Sequence, residues 1–408
     1  MTTADILSLR TPIEALRAGV PNRAAVRLLG SVEDAIEEKF DAALDKVWSD
    51  RPQPGLMFAG GFGTGKSHLL GYLREVALQR GFVVSLITIS KETPLSSPRA
   101  VLAAAIRGAM VPERNDDALT VALAELQRRT AAIAELEAWA TTPDSGAGPV
   151  FAAILLLLAK QQDAALMERI EAFFGGGKLP GKELRDALRQ AGAAKTFDLR
   201  GATEAVLAPQ RERFLPRLFR AAGFAGWCIL IDEVELIGRY SPLQRALAYA
   251  ELARWLGIGA DAPAPGVQVT AAITDDFADA VITARQDEET VPERLRLKGR
   301  PRDAERAAIG MHAIREAMPL HPPTDDDLRR HAETLRKCYS EAYRWQAPPL
   351  EPEERRATRT MRHHIRGWIT QWDMLRLYGR RAAVDVEAMR AGYEERDDLA
   401  EGAEEGEG

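Results

Sequence analysis

The sequence predicts an α/β fold, a parallel sheet carrying a helical insertion and a C-terminal helical lid, on three observations. A glycine-rich stretch, Gly60-Gly61-Phe62-Gly63-Thr64-Gly65-Lys66-Ser67-His68, stands between a short apolar run at 56–59 and a helical pattern from residue 67. A second apolar run, Trp227-Cys228-Ile229-Leu230-Ile231, ends in Asp232-Glu233. Two more β-branched or apolar runs, at 82–89 and 266–274, follow helical segments, as in strand–helix–strand units.

The glycine-rich stretch is the G-x-x-x-x-G-K-[ST] phosphate loop with a strand before it and a helix after it. Gly60, Gly63 and Gly65 are expected at positive φ, so that backbone N–H groups converge on phosphates. Gly61, Phe62, Thr64 and His68 complete the cradle. Lys66 supplies a point charge to the β- and γ-phosphates and Ser67 a hydroxyl to Mg²⁺. The opening helix adds its positive end. Four apolar residues followed by two carboxylates describe a buried parallel strand ending at a ligand crevice. Asp232 would hold Mg²⁺, and Glu233 would orient and deprotonate the attacking water. Binding and hydrolysis of ATP are therefore expected. Glu235, just beyond, reads as a surface carboxylate on a turn or helix.

The 408 residues leave room for one large domain or two to three ordinary ones. The net charge of −6 is concentrated at 394–408, where eight carboxylates face one arginine; the remainder is close to neutral, so only local basic patches would carry nucleic-acid binding. Two cysteines, Cys228 and Cys338, make neither a disulfide framework nor a metal spacing, and suit a reducing cytoplasm. There is no signal-peptide pattern, and the longest apolar run, 149–159, is too short to span a bilayer. A cytoplasmic protein with no membrane partner is expected.

In chain order, residues 1–50 form a helical leader, in which Ile36, Phe40, Leu44 and Trp48 recur at helical spacing and Asn22 is placed to cap a helix. Val20 and Pro21 either cover the adenine or pack against the sheet edge. Residues 51–96 and 191–320 form the core, with a weak fifth strand at 314–320. Between them, 97–190 shows no strand pattern and is expected to be a helical insertion. Gly175-Gly176-Gly177-Lys178 has no strand before it and is a loop. The basic helix 211–220 presents either a solvated face or contacts to DNA or a neighbouring subunit. Thr274, at the end of the fourth strand, either reaches the γ-phosphate or lytic water or caps the segment after it.

The cluster Arg294, Arg296 and Arg300 either reaches a neighbouring subunit's nucleotide or forms surface ion pairs. Residues 321–392 form the lid. Its first helix starts after Thr324. Its last carries a stripe of Met361, Ile365, Trp368, Ile369, Trp372 and Leu375. Arg362 and Arg366 share a face of that helix, presented either to the γ-phosphate or to solvent. The acidic tail, 393–408, is expected to be disordered.

Phosphate loop, Asp-Glu strand, polar strand end and helical lid, in this order, resemble AAA+ ATPases of the origin-recognition and helicase-loader type. That resemblance implies a P-loop NTPase sheet in 5-1-4-3-2 order. Residues 13–23, 230–240 and 361–375, above all Glu-Leu-Ile-Gly-Arg-Tyr at 235–240, look like the BrxD-type ATP-binding proteins of BREX-like phage-defence islands. This likeness implies a helicase, a DNA methyltransferase and other island proteins as partners. Self-association and DNA as a further partner are expected besides. The leading expectation is an Mg²⁺-dependent ATPase that remodels a DNA-associated defence complex. A slow nucleotide-dependent switch or scaffold, and a helicase-loader-like ATPase, are the alternatives.

Overall fold

The computed structural model describes residues 3–19, 22–114, 116–160, 164–259, 265–350, 360–380 and 393. Its centre is a sheet of β1 (Leu56–Ala59), β2 (Val83–Thr88), β3 (Ala109–Met110), β4 (Trp227–Asp232), β5 (Val267–Ile273) and β6 (Met318–Pro319). Their order is β3-β2-β4-β5-β1-β6.

This differs from the expected sheet in two places. β3 lies within the stretch read as strand-free and pairs antiparallel with β2, Val84 opposite Met110 and Ser85 opposite Ala109. Two residues are too few to show an alternating pattern, which is why it left no signature. The fifth strand shrinks to Met318–Pro319, because Pro301–Arg315 is helical and Ile314 is buried on that helix.

Every residue of β4 and β5 is buried. Parallel strands covered on both faces read as continuous apolar runs, and the two faces then separate with period two. Cys228 and Leu230 join Phe58, Val84 and Ala272 beneath helices Asp34–Trp48 and Lys66–Gln79. Ile229 and Ile231 face the other way, into the larger core. Trp48, expected in the leader's stripe, is 61% exposed, and Val47 is buried at the end of that helix.

The larger core continues into the insertion. Phe151 on helix Pro149–Ala159 and Phe173 and Phe174 on helix Ala164–Phe174 gather around Phe214 on helix Glu204–Ala221, with Phe174 and Phe214 stacked at 5.4 Å. The insertion is thereby welded to the helix that feeds β4. Arg211 on that helix is buried, donating to Phe173 O at 3.0 Å and pairing with Glu204. Arg220 pairs with Asp50, and Arg217 lies over the Trp139 ring. These arginines hold the molecule together. Elsewhere helices Pro242–Leu256 and Pro301–Arg315 approach so closely that a Cβ at Gly310 would stand 2.1 Å from Tyr249 O. Any other residue there must push the helices apart.

A third core joins the two ends of the chain. Ile13 of helix Thr3–Ala18 packs with Leu335 and Tyr339 of helix Asp325–Tyr343 and with Ile365, Ile369 and Trp372 of helix Met361–Tyr378. Arg17 extends from the leader to Asp373, which also accepts from Tyr339 Oη at 2.7 Å. Thr324 caps its helix through a reciprocal pair with Asp327. Among the described residues no helix is long and apolar enough to cross a membrane.

Candidate functional site

The loop after β1 is built from its glycines. Gly63 and Gly65 have φ of +77° and +120°, as expected of turns that aim N–H groups inward. Gly60 is not among the positive-φ residues. It is needed for room instead: a Cβ there would sit 2.7 Å from Thr64 Oγ1 and 2.8 Å from Leu320. Thr64 Oγ1 donates to Gly61 O at 2.8 Å, closing the turn. Helix Lys66–Gln79 begins immediately after Gly65.

The loop, the leader, the segment after β4 and the C-terminal helices line one cavity of about 270 Å³. Phe62, Gly63, Thr64, Gly65, Lys66, Ser67 and His68 form its floor. Residues 29–33 of the leader and His331, Met361, Arg362 and Ile365 of the C-terminal helices line its walls. Asn22 caps helix Arg23–Leu29, accepting from Ala24 N at 2.8 Å. Glu75 of the loop's own helix binds Arg23 and Arg27, each at 2.7 Å, fixing the leader to that helix. His68 extends to Gly30 O, 2.7 Å away, and its burial holds its pKa below the usual histidine range. Glu33 accepts from His321 N at 3.0 Å, closing the leader onto the segment after β6. Thr360 lies over the loop, 3.0 Å from where a Gly63 Cβ would stand.

The acidic side of the cavity comes from the end of β4. Asp232 is buried behind it, accepting from Glu233 N at 2.9 Å, and does not itself line the cavity. Glu233 lines the cavity in the left-handed region, φ +61° and ψ +33°, which turns its side chain out of the strand's alternation. Burial and the neighbouring Asp232 carboxylate raise its pKa, against the pull of Lys66, Arg239 and Arg362. A short 3₁₀ turn of six residues, Val234–Arg239, follows, and it returns Glu235 to the cavity.

Glu235 is the residue the sequence reading misplaced. It is 3% exposed, its Oε1 stands 3.6 Å from Lys66 Nζ, and among the described residues no other side chain hydrogen-bonds its carboxylate. Burial raises its pKa to about 7, with Lys66 opposing. Lys66 donates to Gly60 O at 2.8 Å and Gly61 O at 3.3 Å, with its ammonium 5.1 Å from the Phe62 ring centre. The only signal for Glu235 in the sequence is its place two residues after Glu233, and nothing there says that the turn folds back.

Among the other expected site residues, Arg362 reaches the cavity, whereas Arg366 is exposed on the same helix and does not line it. Arg294 and Arg296 are exposed on helix Asp287–Leu297, also away from it, and Arg300 pairs with Asp303 at 2.7 Å. Thr274 is buried, its hydroxyl 2.6 Å from that of Tyr393, which donates to Asp276 at 2.7 Å. Tyr393 also packs edge-on against Phe277, so the first residue of the expected disordered tail is held beside the end of β5. Val20, Pro21 and residues 394–408 lie outside the described residues.

No curated protein and no solved structure matches the chain. The model of the family described as BREX system ATP-binding protein BrxC/D matches residues 8–134, from the first leader helix through the loop and β3, and bears out the resemblance to BrxD-type proteins.

Proposed function

We propose that the chain is an Mg²⁺-dependent ATPase acting in a BREX-type defence system. The observation that carries this is a single cavity lined both by the phosphate loop and by Glu233 and Glu235, the two carboxylates that follow β4. The family's description, an ATP-binding protein, supports the nucleotide. With β3 set aside, the strands run β2-β4-β5-β1-β6. This is the relative order the AAA+ resemblance implies for a phosphate-loop ATPase.

Ser67, at the start of its helix, and Asp232, at the tip of β4, offer the oxygen donors a hard divalent cation takes. Mg²⁺ there would neutralise phosphate charge. Lys66 would bind the β- and γ-phosphates. Glu233, already shifted toward proton uptake, would accept the proton of the attacking water. Arg362 would add positive charge from the lid side. Thr274 would join only after parting from Tyr393. The leader wall at 29–33 and the lid helices would exclude water around the nucleotide, so that closure and hydrolysis are coupled. Arg294 and Arg296 face outward, where only a second subunit could use them. The work driven would be remodelling of a complex containing DNA and other defence-system proteins.

Glu233→Gln should lower steady-state ATP turnover by roughly 10²–10⁴-fold while the protein still retains ATP, read by phosphate release and by nucleotide content after gel filtration. Turnover at the wild-type rate would remove Glu233 as the base.

A further inference from the structure

The carboxylate of Glu235 has no task in the mechanism above, yet it is the most deeply buried acid in the cavity. Its side chain is 4% exposed and, among the described residues, no other side chain hydrogen-bonds its oxygens. An ionisable group is not left so by chance, because an unsatisfied buried carboxylate is costly. Among the described residues the cation paired with it is Lys66, 3.6 Å away, an ion-pair distance longer than a hydrogen bond. The ammonium meanwhile donates into the loop's own carbonyls, Gly60 O and Gly61 O. Asp232 and Glu233 do not duplicate this contact: Asp232 is engaged by Glu233 N, and Glu233 stands on the other side of the turn's first residue.

We propose that Glu235 is a positioning residue that holds Lys66 retracted against the loop carbonyls, so that incoming phosphate must compete with it for the ammonium. The inference rests on the nucleotide reading above and deepens it. Three elements make the competition. The loop carbonyls accept two of the ammonium's three protons. The Glu235 charge supplies attraction from the β4 side. The turn Val234–Arg239 fixes that charge in place, since Tyr240 at its end is held by Arg245 through its carbonyl at 3.0 Å. A phosphate that draws Lys66 outward leaves Glu235 without its counter-ion, and brings a second anion toward it. Binding is therefore weaker than the loop alone would allow, and removal of the Glu235 charge should strengthen it.

The test is a double-mutant cycle on nucleotide affinity, with Glu235→Gln, Lys66→Ala and the pair, using ADP and a slowly hydrolysed ATP analogue. Glu235→Gln should tighten the ATP analogue by about tenfold, and tighten ADP less, whereas in the Lys66→Ala protein, where only the direct repulsion between the two anions is left to remove, the gain should be several-fold smaller. A merely structural role would shift thermal stability but leave no coupling to Lys66. Amine-reactive labelling of Lys66 in the nucleotide-free protein, followed by peptide mass analysis, gives a second readout. It needs no affinity in the Lys66→Ala protein, and labelling should rise several-fold in Glu235→Gln. Unchanged or weakened affinity together with unchanged labelling overturns the proposal. Wild-type protein that binds neither nucleotide overturns the functional reading itself, whereas wild-type binding indifferent to Glu235 overturns this inference alone.

Discussion

At the residue scale, the site depends on a few side chains held against their ordinary preferences. Glu233 occupies the left-handed region, where a non-glycine residue costs on the order of 1 kcal/mol or more. Glu235 is buried beside Lys66 with its pKa raised by burial to about 7 from 4.5. Between these values the folded chain keeps a proton the unfolded chain has released, so this residue makes stability fall as pH rises. Below about 4.5 it is neutral in both states, and above about 7 charged in both. Glu235→Gln should therefore gain stability over wild type progressively across that window, by a few kcal/mol at order of magnitude, in urea unfolding followed from pH 4.5 to 8. Parallel curves for the two proteins would mean the carboxylate is not desolvated as described. The glycine turn after β1 and the acidic end of β4 were legible in the chain because each is a run of contiguous residues beside an apolar strand. Glu235 was not, because its burial depends on how the short turn after β4 folds back.

At the element scale, that turn is braced from behind. Arg245 on helix Pro242–Leu256 donates twice to Asp287, at 2.7 and 2.9 Å, and Tyr249 donates to the same carboxylate at 2.9 Å. Arg245 also holds Tyr240 O, and Tyr240 Oη in turn accepts from Leu95 N at 3.2 Å. Both ionised partners are almost fully buried. Removing one leaves the other charged in the core, so Asp287→Ala should cost on the order of 3–5 kcal/mol in equilibrium unfolding. A loss below about 1 kcal/mol would show that the network does not brace the turn. β4, β5 and the helix after the loop were readable from apolar runs and spacing. The brace was not, since Arg245 and Asp287 stand 42 positions apart and each looks like an ordinary surface charge. β3, two residues long, was too short to show a pattern; the weak strand at 314–320 contains β6, but its first two residues belong to helix Pro301–Arg315.

At the scale of the whole molecule, the sheet carries a core on each face, and a third core ties helix Thr3–Ala18 to the two C-terminal helices. The cavity lies where that third core meets the phosphate loop, so leader and lid form its walls together. Helical spacing made both segments legible as helices, but their partnership joins the two ends of the sequence and no local pattern reports it. The same holds for Arg17 and Asp373, which clamp the leader to the last helix. The most direct measurement is equilibrium binding of ATP in the presence of Mg²⁺ to Glu233→Gln protein, by calorimetry, with and without Lys66→Ala. One saturable site per chain, weakened at least tenfold by Lys66→Ala, is the expected result. No binding, or binding that ignores Lys66, would contradict a nucleotide held between the loop after β1 and the acids after β4.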